Sequence, residues 1–414
     1  MTPIGIVAES VSSLKILGDF IVQASRHDVF FRIFIPETPE GKSYDDLSIE
    51  LLLWAFPQLH KRDIFLYKAG GLVKATHEAG VGHLLLLNPY RNFAADVLEL
   101  AKSGVDVYGL DYFANSAYVA ASEDDPAIIQ QSLAALAGRF VTSDWWRDFE
   151  FAVQPEHKRW EHSFLPLGTP LIDSLPEIDT AEAREKLGLD DRPVVSLFTP
   201  NIRDHHTHLF YGLGTRFKLK RLAKLVRTYC DARGFQLVVK SREKQWDAEP
   251  FVDVADVFVQ ELPDQVHPST SALLLAVSEV AIHFGSMMVM EAAACGVPSI
   301  AISPLSIDKL HKYMRPAARR VAKDWVLAPE PESLFKFGVV SDSFDITVQA
   351  EKFGLRVDHM IQARTQSRPE YGAFNKKFSG WREGSTAAER IIQHLQTQSG
   401  ETASAPALEL VGAA

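Results

Sequence analysis

Four segments in the second half of this 414-residue chain carry groups suited to holding a phosphate. Three follow short apolar runs: Thr199-Pro-Asn201-Ile-Arg203, Lys240-Ser-Arg242 and Gly285-Ser286-Met287. The third opens a helix that Gly296 stops and Pro298 prevents from resuming. The fourth is Gly384-Ser385-Thr386, where the last helix-like pattern begins. The first amides of a helix have no intrahelical acceptor and face the positive end of its dipole. Gly285, Ser286, Met287, Ser385 and Thr386 therefore offer donors to an anion. Thr199 and Asn201 add neutral polar groups, and Arg203, Lys240 and Arg242 supply charge that neutralises a pyrophosphate. Glu291 lies one turn beyond Met287 on the same helix face, where a carboxylate accepts hydrogen bonds from ribose hydroxyls. In the first half, the candidates for a general base are Glu9, at the end of the first apolar run, then Asp111 and His77. His205-His206-X-His208 has no cysteine or matched carboxylate beside it, so no metal is expected; amides and cations take that role.

The elements that must position these groups alternate. Apolar strands are read over 4–8, 30–35, 63–67, 83–88, 105–110 and 140–143, the last closing the first half, with helices over 13–24, 51–59, 94–102 and from 144 onward, and a strand and turn over 164–173. After the Pro- and charge-rich stretch 174–191 the grammar restarts, with strands over 194–198, 235–239, 280–282 and 299–302 and helices over 181–187, 217–233, 287–294 and 385–395. Near-continuous apolar strands separated by helices mean α/β architecture with parallel, doubly wound sheets, whose ligands sit at the carboxyl ends of the strands. The boundaries expected are a first domain over 1–175, a second over 176–383, a closing helix over 384–396 and a disordered tail over 397–414.

A formal net charge of −10 argues against a nucleic-acid partner bound through bulk electrostatics. Two cysteines, Cys230 and Cys295, are too few for a disulfide framework and read as small buried hydrophobes. There is no basic leader and no apolar run of about eighteen residues, so a cytoplasmic protein is expected. The helix carrying Arg216, Lys218, Lys220, Arg221, Lys224 and Arg227 reads as a solvated face that also admits peripheral contact with an anionic membrane. Trp145-Trp146 reads as core or interface packing.

Val195-Ser-Leu-Phe-Thr-Pro-Asn-Ile-Arg-Asp204, His283-Phe-Gly-Ser-Met-Met-Val-Met-Glu291 and Gly384-Ser-Thr-Ala-Ala-Glu-Arg390 resemble, in that order, segments of CDP-glycerol glycerophosphotransferase-like enzymes. Leu167-Gly-Thr-Pro-Leu-Ile-Asp173 is similar to a segment those enzymes share with UDP-N-acetylglucosamine 2-epimerases. The resemblance spans roughly residues 142–395. It implies the GT-B fold: two Rossmann-like domains facing a cleft, a nucleotide-activated donor in the second, an acceptor in the first, and the last helix packed back on the first. Phe284 and Gly285 stand where the glycerophosphotransferases carry Asp and Tyr, and Ser241-Arg242 replaces their His-Pro. The stretch from Gly285 through Glu291 to Pro298 looks more like sugar-transferring GT-B enzymes.

The expectation is therefore a metal-independent glycosyltransferase needing no cofactor. Its donor is a CMP-, CDP- or UDP-linked sugar and its acceptor a bacterial cell-surface glycan or lipid-linked molecule. The alternatives are a CDP-glycerol-type transferase, a non-hydrolysing nucleotide-sugar 2-epimerase, and a non-catalytic nucleotide-sugar-binding module.

Overall fold

The computed structural model describes residues 3–401 apart from 10–12, 28, 38–46, 88–93, 112–125, 201–214, 242–248, 261, 263–266, 285, 304–333, 346–348 and 367. In the first half the chain runs β1 (Ile4–Val7), α1 (Leu14–Arg26), β2 (Phe31–Pro36), α2 (Ile49–Ala55), β3 (Ile64–Tyr67), α3 (Leu72–Glu78), β4 (His83–Leu86), α4 (Ala94–Lys102), β5 (Asp106–Asp111), α5 (Pro126–Ala135), β6 (Gly138–Val141), α6 (Asp144–Val153) and β7 (Phe164–Pro166). It continues with α7 (Thr180–Leu187), β8 (Val194–Phe198), α8 (Thr215–Arg233), β9 (Gln236–Lys240), α9 (Glu249–Val252), β10 (Val257–Val259), α10 (Thr270–Ala276), β11 (Ser278–His283), α11 (Met288–Ala294) and β12 (Ser299–Ser303). Then come β13 (Ser341–Asp345), α12 (Ala350–Arg364), α13 (Arg368–Phe374), a π-helical turn over Asn375–Ser379, and α14 (Ala387–Glu401).

The strands form two sheets, ordered β3-β2-β1-β4-β5-β6-β7 and β10-β9-β8-β11-β12-β13. Every ladder in both is parallel. Parallel strands must be covered on both faces, and the side chains alternate accordingly. Ile4 and Ile6 of β1 join Ile33, Leu85, Leu110 and Phe140 in one layer with α1 and α14, while Val7 joins Phe34, Leu84, Leu86 and Val107 in the other. The second sheet is sandwiched the same way, Val195 and Leu197 facing one layer and Val194 and Phe198 the other.

Two expectations shift. β6 does not close its sheet: β7, within the strand and turn expected over 164–173, forms the edge, three residues long and ending in Pro166, where a missing donor is tolerated. The last helix continues to Glu401, past the expected boundary at 396, and 402–414 lie outside the described residues.

α14 does cross back. Ala388, Ile391, Ile392 and Leu395 are buried in the first sheet's core beside Leu14, Leu17 and Phe20 of α1, and the His394 ring meets Phe140 edge-on at 5.6 Å. Burying three large aliphatic side chains stabilises this docking by roughly 5–9 kcal/mol. A second bridge is aromatic. Trp146 and Phe149 of α6 pack with Val289, Met290 and Ala293 of α11 and with Phe374 and Phe378, and the Trp146 Nε1–H donates to the Phe378 carbonyl at 2.9 Å.

Candidate functional site

In each sheet the strand order reverses at one point, β1/β4 in the first and β8/β11 in the second, and the carboxyl edge at such a point is where doubly wound sheets bind their ligands. The second sheet brings three of the phosphate-suited segments to that edge. Thr199 follows β8, Lys240 ends β9 and Ser286 follows β11, and these are three adjacent strands. The Thr199 N–H donates to the Lys240 carbonyl at 2.9 Å, tying two of the strand ends together. Lys240 is 4% exposed, with Nζ 3.5 Å from the Ser241 carbonyl. Asn201, Arg203, Arg242, Gly285 and the histidines 205, 206 and 208 lie outside the described residues.

The turn between β11 and α11 is organised by a residue the sequence reading passed over. His283, the last of β11, is fully buried, and its Nδ1 accepts the Ser286 N–H at 3.3 Å. Ser286 Oγ in turn accepts the Met288 N–H at 3.2 Å and caps the helix. So the Ser286 amide is engaged within the turn, contrary to its expected role. Its exposed hydroxyl still has a proton to give to a ligand. Burial holds the His283 imidazole down at about 3. An unfolded histidine takes up its proton near 6.5, so stability is intact above that pH and is lost as pH falls toward 3. His283→Asn is expected to remove about one proton, ~1.4 kcal/mol per pH unit, from the pH slope of urea-unfolding free energy between 6.5 and 4.5. An unchanged slope means that the imidazole is solvated.

Glu291, in the first turn of α11, is buried, its carboxylate 3.8 Å from Lys15 Nζ on α1. A contact that long is weak, and it marks where the first domain approaches the second sheet's crevice. Beside it His267 lies over Gly18, where a Cβ would collide with the imidazole, with Nε2 3.6 Å from Asp19. Burial pushes His267 down and Asp19 well up, the latter helped by Asp173, so both are held toward their neutral forms.

The base candidates separate. Glu9 follows β1 at the first sheet's reversal point and is half-buried; burial and then the charge of Glu9 raise the Tyr67 phenol at the end of β3. Asp111 is enclosed: Arg139, 1% exposed, donates to Asp111 Oδ2 at 2.9 Å and to Glu150 at 2.9 and 3.1 Å, and Glu150 meets His157 Nδ1 at 2.8 Å. Burial alone would raise Glu150, but Arg139 and His157 outweigh it and hold it at about 2. A carboxylate in such a network is a structural counter-ion, not a base open to substrate. His77 is exposed in the last turn of α3, which runs against the strands and ends at the edge opposite the crevice. Neither position suits a base.

Ser385 and Thr386 are also claimed from within. The Ala387 and Ala388 N–H groups at the start of α14 donate to the two carboxylate oxygens of Asp173, both at 2.9 Å. Thr386 and Glu389 form a reciprocal capping box. Arg390 donates to the Leu167 carbonyl at 2.8 Å, the Ser385 carbonyl at 2.6 Å and the Gly380 carbonyl at 3.0 Å. This helix start does have its anion, and the anion is Asp173. Burial raises Asp173 to about 6 even though the two amides pull it down. The segments ending in Asp173 and Arg390 are therefore a clasp between the end of the first sheet and the returning helix. Gly168 and Gly380, both at positive φ, meet so closely within it that a Cβ on Gly380 would overlap the Thr142 carbonyl oxygen.

No protein-family model matches the sequence, and no curated protein matches it. Solved structures do. A putative UDP-N-acetylglucosamine 2-epimerase from Listeria monocytogenes superposes with a TM-score of 0.60 at 12% identity, over 97% of this chain and 97% of that one. UDP-GlcNAc 2-epimerase from Methanocaldococcus jannaschii gives 0.60 at 10% identity, over 95% and 99%. The wall teichoic acid polymerase TagF gives 0.55 at 11% identity, over 98% and 90%. At such identities the likeness is one of fold, and with two parallel sheets and a returning C-terminal helix this chain has the GT-B fold common to those enzymes.

Proposed function

We propose that this protein is a GT-B glycosyltransferase that moves a sugar from a CMP-, CDP- or UDP-linked donor to a glycan or lipid-linked acceptor. The observation that carries the reading is the meeting of Thr199, Lys240 and Ser286 at the ends of three adjacent strands, at the reversal point of the second sheet. The buried Lys240 ammonium and the Ser286 hydroxyl hold the diphosphate and stabilise the charge that grows on it as the glycosidic bond breaks; no metal is required. Glu291 takes the ribose hydroxyls, displacing its long contact with Lys15. Glu9, at the matching point of the first sheet, removes the acceptor proton. The basic helix α8 offers a face to an anionic membrane: no described helix is long and apolar enough to cross one, while Phe217 is 73% exposed there beside Lys220, Arg221 and Lys224.

The rival is epimerisation, favoured by the end-to-end match to 2-epimerases. An epimerase needs no acceptor. Incubation with UDP-N-acetylglucosamine alone, followed by anomeric-proton NMR, is expected to return the substrate unchanged; appearance of the 2-epimer establishes the isomerase instead. Glu9→Gln is expected to lower turnover about 100-fold or more with nucleotide affinity unchanged. Unchanged turnover removes Glu9 as the base.

A further inference from the structure

We propose a second ligand site, for a phosphorylated saccharide, in the cleft between the start of α6 and the π-helical turn Asn375–Ser379. The cleft encloses about 920 Å³ and opens at the carboxyl ends of β6 and β7, at the edge of the first sheet, and none of Thr199, Lys240 and Ser286 lines it. Ser143 lines it and occupies the N-cap position of α6, yet its hydroxyl makes no capping bond. That hydroxyl is buried, the residue being 3% exposed, and it has no hydrogen-bond partner among the described residues. An N-cap serine ordinarily folds back onto the amides two or three residues ahead; a ligand oxygen in the cleft satisfies both the hydroxyl and the helix start. α6 is a ten-residue helix, long enough for its dipole to favour an anion there.

The charge around the cleft agrees. Lys376 and Lys377 project from the π-helical turn, a local widening that is frequent at functional sites. Arg382 stands at the rim, its guanidinium fixed by the Pro166 carbonyl at 3.0 Å. Two acids also line the cleft, Asp144 and Glu383, and Asp144 is neutralised by Arg147 at 2.9 Å. Cations therefore prevail where the helix begins. Trp381, 44% exposed, lines the cleft with an aromatic ring of the kind on which a sugar stacks, and Trp145 lines it too. A phosphate on Ser143 and the lysines, with its sugar reaching Trp381, uses the hydroxyl, both ammonium groups and the indole.

Calorimetry on the full chain at low salt tests this with glucose 1-phosphate, inorganic phosphate and glucose as separate titrants. Glucose 1-phosphate is expected to bind at one site, with inorganic phosphate at least about fivefold weaker and glucose silent. Lys376→Ala/Lys377→Ala should weaken the sugar phosphate at least about tenfold, and Ser143→Ala about fivefold. Trp381→Ala should bring its affinity down to that of phosphate, and Lys240→Ala should leave it unchanged. The proposal is overturned by absence of binding, or by affinity unaltered in the double lysine variant and in Ser143→Ala. Loss of binding in Lys240→Ala overturns it too, since the sugar phosphate then occupies the donor crevice.

Discussion

Arg390→Ala is expected to lower the melting temperature by roughly 10 °C and to open the chain to proteolysis between 381 and 386. One guanidinium satisfies carbonyls of Leu167, Gly380 and Ser385 at once, in a half-buried position where α14 turns onto the first domain. Removing it leaves three carbonyl oxygens without their donor. At about 1–3 kcal/mol for each buried acceptor, offset where water enters, the net loss is on the order of 4 kcal/mol, a large part of a typical domain's stability. A change of that size moves the midpoint of a domain of this size by roughly 2–4 °C per kcal/mol. Arg390→Lys should fall between, because an ammonium cannot reach all three acceptors from one position. A loss under about 2 °C for Arg390→Ala would show that the helix is held by its apolar face alone.

The second large effect is on binding. Lys240→Ala is expected to weaken nucleoside-diphosphate affinity about 100-fold while the fold persists. A hydrogen bond to a charged group contributes about 1.5–3 kcal/mol, and every 1.4 kcal/mol is tenfold in affinity. The upper part of that range applies because Lys240 is almost wholly buried, where screening by water is reduced. Lys240→Met keeps the aliphatic stem and removes the charge, so it should show the same loss. Affinity within about threefold of wild type in both variants would place the diphosphate elsewhere.

Local pattern carried the sheets well and the partnerships poorly. Runs such as Val194–Phe198 and His83–Leu86, each with a single polar residue, are near-continuously apolar and buried at every position because parallel strands are covered on both faces, and that signature is legible without an alignment. β13, Ser-Asp-Ser-Phe-Asp, escaped because it lies at a sheet edge, where only Ser341 and Phe344 are buried and four of the five residues are polar. The Gly384-Ser385-Thr386 segment shows how a correct local reading yields a wrong assignment. Its amides do seek an anion, but the partner is Asp173, 214 residues earlier than Ala387, and no local spacing reveals that. Asp111 failed for the same reason: its occupant, Arg139, comes from the next strand. His283 left a fainter trace, a histidine closing an apolar strand just before a glycine-serine turn, whose role shows only in its bond to the Ser286 N–H.

The most direct test of a diphosphate held by Thr199, Lys240 and Ser286 is a thermal-shift comparison of cytidine, CMP, CDP, uridine, UMP and UDP, on wild type and on Lys240→Ala. One nucleoside diphosphate should raise the melting temperature by about 5–10 °C at a hundredfold excess over its Kd, the linkage stabilisation being about 2.7 kcal/mol. The matching nucleoside should do nothing, and the shift should vanish in Lys240→Ala. Equal shifts from nucleoside and diphosphate, or a diphosphate shift that survives in Lys240→Ala, would contradict it.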